Sequence, residues 1–135
     1  MNKEIPYNYF DERDYQFVSC YRRSFTYKDS WAGKRVFADF DGVMAYAEVY
    51  LNGKLVGSHK GGYTPFAVDL TAGLAPGENT LVVKVDSTER LDIPPFGYAI
   101  DYLCYGGIYR DTYLRIVDPV YIENVFAKPK AVLGE

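Results

Sequence analysis

The side chains that could do chemistry in this chain are few in kind. Aspartate and glutamate together number 18, histidine occurs once, at His59, and the two cysteines stand far apart at Cys20 and Cys104. Hydrolysis by paired carboxyl groups needs two acids facing each other across the scissile bond, roughly 5 to 10 Å apart. No pair of acids here is set apart by its spacing. Asp11-Glu12, Asp41, Asp86, Glu89 and Asp92 stand in turn-like surroundings and read as a solvated surface. A serine–histidine arrangement finds no Gly-x-Ser-x-Gly elbow, and His59 lies in a strand-like run, where a structural role is the simpler reading. Neither a phosphate-cradling glycine pattern nor a metal-ligand spacing is present. The two cysteines read as buried free thiols of a reducing compartment. The residues therefore predict no catalytic centre, no cofactor and no metal site of the chain's own.

One stretch points to binding instead. Residues 87–107, "STERLDIPPFGYAIDYLCYGG", lack strand or helix periodicity and hold Pro94, Pro95, Phe96, Tyr98, Asp101 and Tyr102. Long structureless loops are uncommon in compact domains and are usually functional. Rings around one carboxylate suit ligand contact; equally, such rings could cover one open end of a sheet stack.

The elements that must position this loop are strands. With 135 residues the chain is one domain in size, with a net charge of −3 and interspersed charges that give no basic footprint for nucleic acid. Fourteen Tyr and eight Phe favour strands. Alternation marks strands at 17–27, 34–40 (Val36, Ala38 and Phe40 on one face), 45–52 (Ala45, Ala47, Val49 and Leu51 against Tyr46, Glu48 and Tyr50), 54–60, 66–71, 80–86 and 108–117. Asn52-Gly53 predicts a tight hairpin. Asp69 or Thr71 is placed to cap a single helical turn, ended by Pro76-Gly77. Residues 120–129 read as a last strand or an exit segment. Val49, Leu51, Leu81, Val83, Val85 and Leu114 are the expected core. The fold expected is all-β, a sandwich of antiparallel sheets. "MNKEIPYNYF" has no apolar targeting core, and no run is long enough to span a membrane. The localisation expected is cytoplasmic.

Taken together, several runs resemble one known domain. "GKRVFADFDGVMAYAEVYLNGKLVGSHKGGYTPFAVDLT" (33–71), "GENTLVVKVD" (77–86), "YGGIYRDTYL" (105–114) and the entry segment "IPYNYF" (5–10) resemble, in order, the N-terminal sugar-binding domain of glycoside hydrolase family 2. "GGYTPF" with "YGGIYRD" looks most like the β-galactosidases of that family. The resemblance implies a jelly-roll β-sandwich of the galactose-binding type over residues 1–128, with 129–135 the start of an immunoglobulin-like domain. It implies a TIM barrel further on, carrying both catalytic glutamates. A barrel takes about 250 residues, so the chain alone is not expected to be catalytic. The partners implied are a β-galactoside or related carbohydrate and the other domains of a parent chain, with no nucleic acid and no membrane; a homo-oligomeric parent is left open. Alternatives are an independent carbohydrate-binding module, with tyrosines as its platform, and a purely structural domain that buttresses the barrel.

Two substrate-binding residues follow from the resemblance. The family's pocket receives an aspartate from the loop before the "GIYRD"-type motif, which matches Asp101. It receives an asparagine from the entry segment, which matches Asn8, although Tyr7 stands where histidine is common. In "YGGIYRD" (105–111), Gly106 and Gly107 are expected to turn the loop back into the sheet, and Ile108 to start the strand inward. Arg110 is expected to anchor the base of the loop on a neighbouring carboxylate or backbone carbonyl. The motif would then hold Asp101 in place.

Overall fold

Why the chain forms a sandwich is visible in how its strands divide between two faces. In the computed structural model, which describes residues 16–94 and 104–130, the strands are β1 (Val18–Thr26), β2 (Arg35–Phe40), β3 (Val43–Met44), β4 (Tyr46–Leu51), β5 (Lys54–Lys60), β6 (Phe66–Asp69), β7 (Glu78–Asp86), β8 (Gly107–Ile108) and β9 (Thr112–Val117). One sheet runs β1-β7-β4-β5 and a second β6-β2-β9, with β3 and β8 pairing separately. All pairings are antiparallel. The inward side chains of both larger sheets share one core. Ala47, Val49, Leu51, Leu81, Val83 and Val85 meet Ala38, Phe40, Val68 and Leu70. Strand neighbours distant in sequence, such as β1 with β7 and β2 with β9, give the jelly-roll β-sandwich.

The alternation in β4 works as the residue types dictate. Every second residue from Ala47 is buried, and the other three, Tyr46, Glu48 and Tyr50, lie half-buried on the outer face. There both tyrosine hydroxyls donate to Glu48, at 3.3 and 3.1 Å, and Lys84 Nζ donates to it at 3.1 Å. These donors, Lys84 first, hold the Glu48 carboxyl below its usual range. At the β4–β5 hairpin Asn52 and Gly53 have φ of 51° and 80°, as a two-residue turn of this hand requires. Asn52 Nδ2 also donates to Asn79 Oδ1 at 2.8 Å, and its Oδ1 accepts Thr80 N–H at 2.9 Å. Asn79 is buried but fully occupied, exchanging bonds with Ala75 N–H and C=O, each at 2.8 Å.

Several expectations need correction. The run 108–117 is not one strand. It splits into β8, paired with β3, and β9, paired with β2, and residues 109–111 bridge the two. Residues 120–129 form no strand and are an exit segment. The turn at Thr71–Gly73 is 3-10; Asp69 Oδ1 accepts Thr71 N–H at 2.9 Å just outside it, and the chain leaves the turn before Pro76. Leu114 is only half-buried, against the edge of the core. The thiols are free but not buried: Cys20 is exposed on the outer strand β1, and Cys104 is half-buried. An edge strand has one flank without a neighbour, so its alternation hides less than a central strand's.

Candidate functional site

The stretch "KGGYTPF", residues 60–66, closes β5 and turns the chain into β6. Gly62 is buried, and a Cβ at this position would overlap the Met44 thioether. Close packing of backbone on side chain is what demands glycine here. The turn matters because both described feet of the 87–107 loop rest against it.

The upstream foot is ionic and apolar at once. Lys60 Nζ donates to Asp92 Oδ2 at 2.6 Å, and Arg90 Nε donates to Asp92 Oδ1 at 3.0 Å. Arg90 lies over the Tyr46 ring at 5.0 Å and approaches Asp86 at 3.9 Å. The two cations, Arg90 first, hold the Asp92 carboxyl down to about 2. Beside them Ile93 is buried with Met44 and Ala45, capped by Tyr46. The buried Ile93, more than the exposed ion pairs, holds residues 90–93 on the sheet.

The downstream foot is made by "YGGIYRD". Gly107 has a φ of +95°, and a Cβ there would overlap the Tyr21 hydroxyl, which accepts Ile108 N–H at 3.4 Å. Tyr109 OH donates to Gly62 C=O at 2.6 Å. Arg110 Nη1 donates to Tyr63 C=O at 3.3 Å and reaches Asp41 C=O at 3.5 Å. Arg110 thus anchors on backbone carbonyls, one of the two expected modes. These two side chains lie across Gly42, where a Cβ would stand 2.9 Å from Arg110 Cδ and 3.0 Å from Tyr109 Cζ. Tyr63 OH stands 3.7 Å from Cys104 Sγ. The break between β8 and β9 frees Arg110 to fold back on the turn.

Beside the downstream foot, a cleft of about 570 Å³ opens between β1 and residues 108–112, with Phe40, Leu81 and Val83 as its apolar floor. Its rim carries Arg22, Arg23 and Arg110 against a single acid, Asp111. A second groove, about 420 Å³, lies near Tyr27, Trp31 and Pro119 and is lined by Lys34 and Arg35 but by no acid. Neither cleft offers the two carboxyl groups that acid–base hydrolysis needs. Among the described residues no group of His, Cys, Asp and Glu could hold a metal ion.

The sequence-predicted substrate contacts Asn8 and Asp101 lie outside the described residues. His59 is structural: its ring stacks on Phe66 at 4.2 Å and 11°, bonds Thr64 at 3.2 Å, and is held below its ordinary pKa by burial. Sequence reasoning missed Lys60, Arg90 and Asp92, having read Asp92 as a solvated acid. The signal available was position alone, since Lys60 begins the glycine turn and Arg90-Leu91-Asp92 opens the loop.

Three comparisons bear on identity. The family model for "Glycosyl hydrolases family 2, sugar binding domain" matches residues 1–117. Over 127 residues, 93% of this chain, it is 48% identical to a β-galactosidase of Thermoanaerobacter pseudethanolicus. It is 53% identical over 126 residues to a β-galactosidase of Thermoanaerobacterium thermosulfurigenes. The chain spans only 17% and 18% of the length of these relatives. The crystal structure of a Bacteroides uniformis β-glucuronidase superimposes with a TM-score of 0.72 at 39% identity, covering 77% of this chain and 12% of that one. A family model that spans residues 1–117, with relatives 48% and 53% identical, rests on more than fold, and the chain belongs to glycosyl hydrolase family 2, as its sugar-binding domain.

Proposed function

We propose that this chain is the non-catalytic sugar-binding domain of a longer β-galactosidase-like glycosidase, and that it lends residues to the edge of a substrate pocket. The pocket's catalytic carboxylates would belong to a TIM-barrel domain of the parent chain, reached through an immunoglobulin-like domain that begins near residue 129. The observation that carries this reading is the convergence of both loop feet on the 60–66 turn. Buried Ile93 and the ion pairs fix one foot, and the Tyr109 and Arg110 contacts fix the other. Such anchoring is what a loop needs if it is to present one carboxylate at a set position. Asp101 would accept hydrogen bonds from sugar hydroxyls, and Asn8 would add a neutral donor and acceptor. A cytoplasmic parent fits two free thiols.

The test is kinetic and uses the parent enzyme. Asp101→Asn removes an ionised acceptor worth about 1.5–3 kcal/mol, so kcat/KM should fall about 10- to 100-fold while the melting temperature stays put. Asp41→Asn, in the turn before Gly42, serves as the control. Equal activity of the two variants would refute the pocket role. The structural likeness to a β-glucuronidase favours a second substrate reading, a glucuronide. Parallel assays of nitrophenyl galactoside and nitrophenyl glucuronide decide between the two.

A further inference from the structure

Beyond β9 the chain passes Pro119 and runs through "VYIENVFAKPK" without regular structure and without entering either sheet. Large apolar side chains crowd here in the open: Val120 is 92% exposed, Ile122 79%, Val125 73% and Phe126 79%. Four such residues within seven form a patch that a finished surface would not leave wet. Yet the segment is held near its start. Tyr121, between two exposed neighbours, turns back onto the outer face of β2 and β9. Its ring packs against Phe37 at 6.0 Å and 60°. The Arg35 and Arg115 guanidiniums lie 5.7 and 5.8 Å from the Tyr121 ring and 4.8 and 4.6 Å from the Phe37 ring. Each guanidinium is held in turn by a carboxylate: Arg35 by Asp69 at 2.7 Å, and Arg115 by Asp39 at 2.7 and 3.0 Å. Phe37 faces away from the core yet is only 7% exposed, because this clamp covers it.

We propose that residues 120–126 are a docking ridge for the polypeptide that continues beyond residue 135 in the parent, and that Tyr121 is the latch that aims it. This rests on the reading of the chain as one domain of a longer enzyme. Three observations favour that occupant over a second copy or an unrelated protein. The ridge directly follows β9, the curated relatives are more than five times as long, and the ridge is held at Tyr121 by side chains of this domain. A ridge so aimed sets the angle at which the sugar-binding domain meets the rest, and with it the placement of the 87–107 loop. Tyr121 is then a positioning residue, acting through that geometry.

Two measurements test it. Thermolysin cleaves before exposed Val, Ile and Phe. The 135-residue chain should be cut at Val120, Ile122, Val125 or Phe126 at least tenfold faster than the same bonds in the parent enzyme. Equal rates would overturn the docking ridge. The second is a kinetic cycle in the parent. Tyr121→Ala should lower kcat/KM severalfold and Tyr121→Phe should restore it, since the ring does the clamping. Combining Tyr121→Ala with Asp101→Asn should cost less than the product of the single losses, because a misplaced loop has already forfeited the Asp101 contact. Multiplicative losses would overturn the latch. If Asp101→Asn alone is silent while the ridge stays protected in the parent, the pocket role fails and the ridge stands.

Discussion

Tyr109→Phe isolates the bond that ties the "YGGIYRD" foot to the glycine turn. The hydroxyl donates to Gly62 C=O at 2.6 Å, between residues far apart in sequence. Phenylalanine keeps the ring that lies across Gly42, so packing is nearly preserved and only the hydrogen bond is lost. Gly62 is buried, which leaves its carbonyl with little access to water. Removing one partner of such a bond costs the desolvation of the other, about 1–3 kcal/mol. For a chain of this length that is a fall in melting temperature of roughly 3–11 °C. Urea melts should show a lower midpoint with an unchanged slope, since the native surface is the same. Tyr27→Phe is the matched control: its ring packs edge-on against Trp31, outside the clasp, and the change should stay within about 0.5 kcal/mol. A Tyr109→Phe midpoint indistinguishable from that of Tyr27→Phe would refute the claim that this bond fastens the loop foot.

Three further outcomes are expected. Gly57→Ala places a Cβ 2.8 and 2.9 Å from the two methyls of buried Val68, so denaturant melts should show a loss of about 1–3 kcal/mol. Asp39→Asn leaves Arg115 charged over a site where Asp39 is only 8% exposed; the cost, read in the same melts, should be about 2 kcal/mol, less than for a fully buried pair because Arg115 reaches solvent. His59 is held below its ordinary value near 6.5 by burial against Phe66. The unfolded chain therefore takes up a proton before the folded one. Stability from this group is complete above the ordinary value and is lost as the pH falls from there toward the folded pKa. The melting temperature should drop between pH 7.5 and 5.5 in the wild type and less in His59→Gln; parallel curves would exclude His59 as the cause.

Residues whose role is set by their neighbours in sequence could be read from the sequence. The alternation in β4 and β7 depends only on the pleat, and the Asn52-Gly53 turn depends only on two residues' tolerance of positive φ. Roles set by register could not be read in this way. Nothing local in Asp39 or Arg115 says that β2 and β9 bring them to diagonal positions, Arg115 opposite Phe37 and Asp39 opposite Tyr113, or that Phe37 needs a cover. The break after Ile108 was hidden for the same reason: "IYRDTYLRIV" alternates well enough for one strand, but β3 and β2 each claim a different part of it. Asp92 looked like a solvated acid because Lys60 is 32 residues away. Gly106 and Gly107 were legible as a turn, but that this turn grips the one at 60–66 follows from Met44, Tyr21 and Tyr109 meeting them in space.

The chain holds a single tryptophan among fourteen tyrosines. Trp31 sits edge-on to Tyr27 at 5.7 Å and tilted to Phe25 at 6.3 Å. It lines a groove with Thr71 and Leu74, at the end of the sandwich where the Asn52 hairpin closes, whereas the loop feet gather at the Tyr46 end of β4. One indole at one pole makes the domain its own optical probe. Light absorbed by Tyr27 should pass by resonance transfer to Trp31 while the fold persists and should return to tyrosine emission when it melts. The same placement makes this signal deaf to events at the loop. Sugar titrations followed by intrinsic fluorescence would report the integrity of the far pole, and occupancy at the loop has to be read by a label or nucleus placed there.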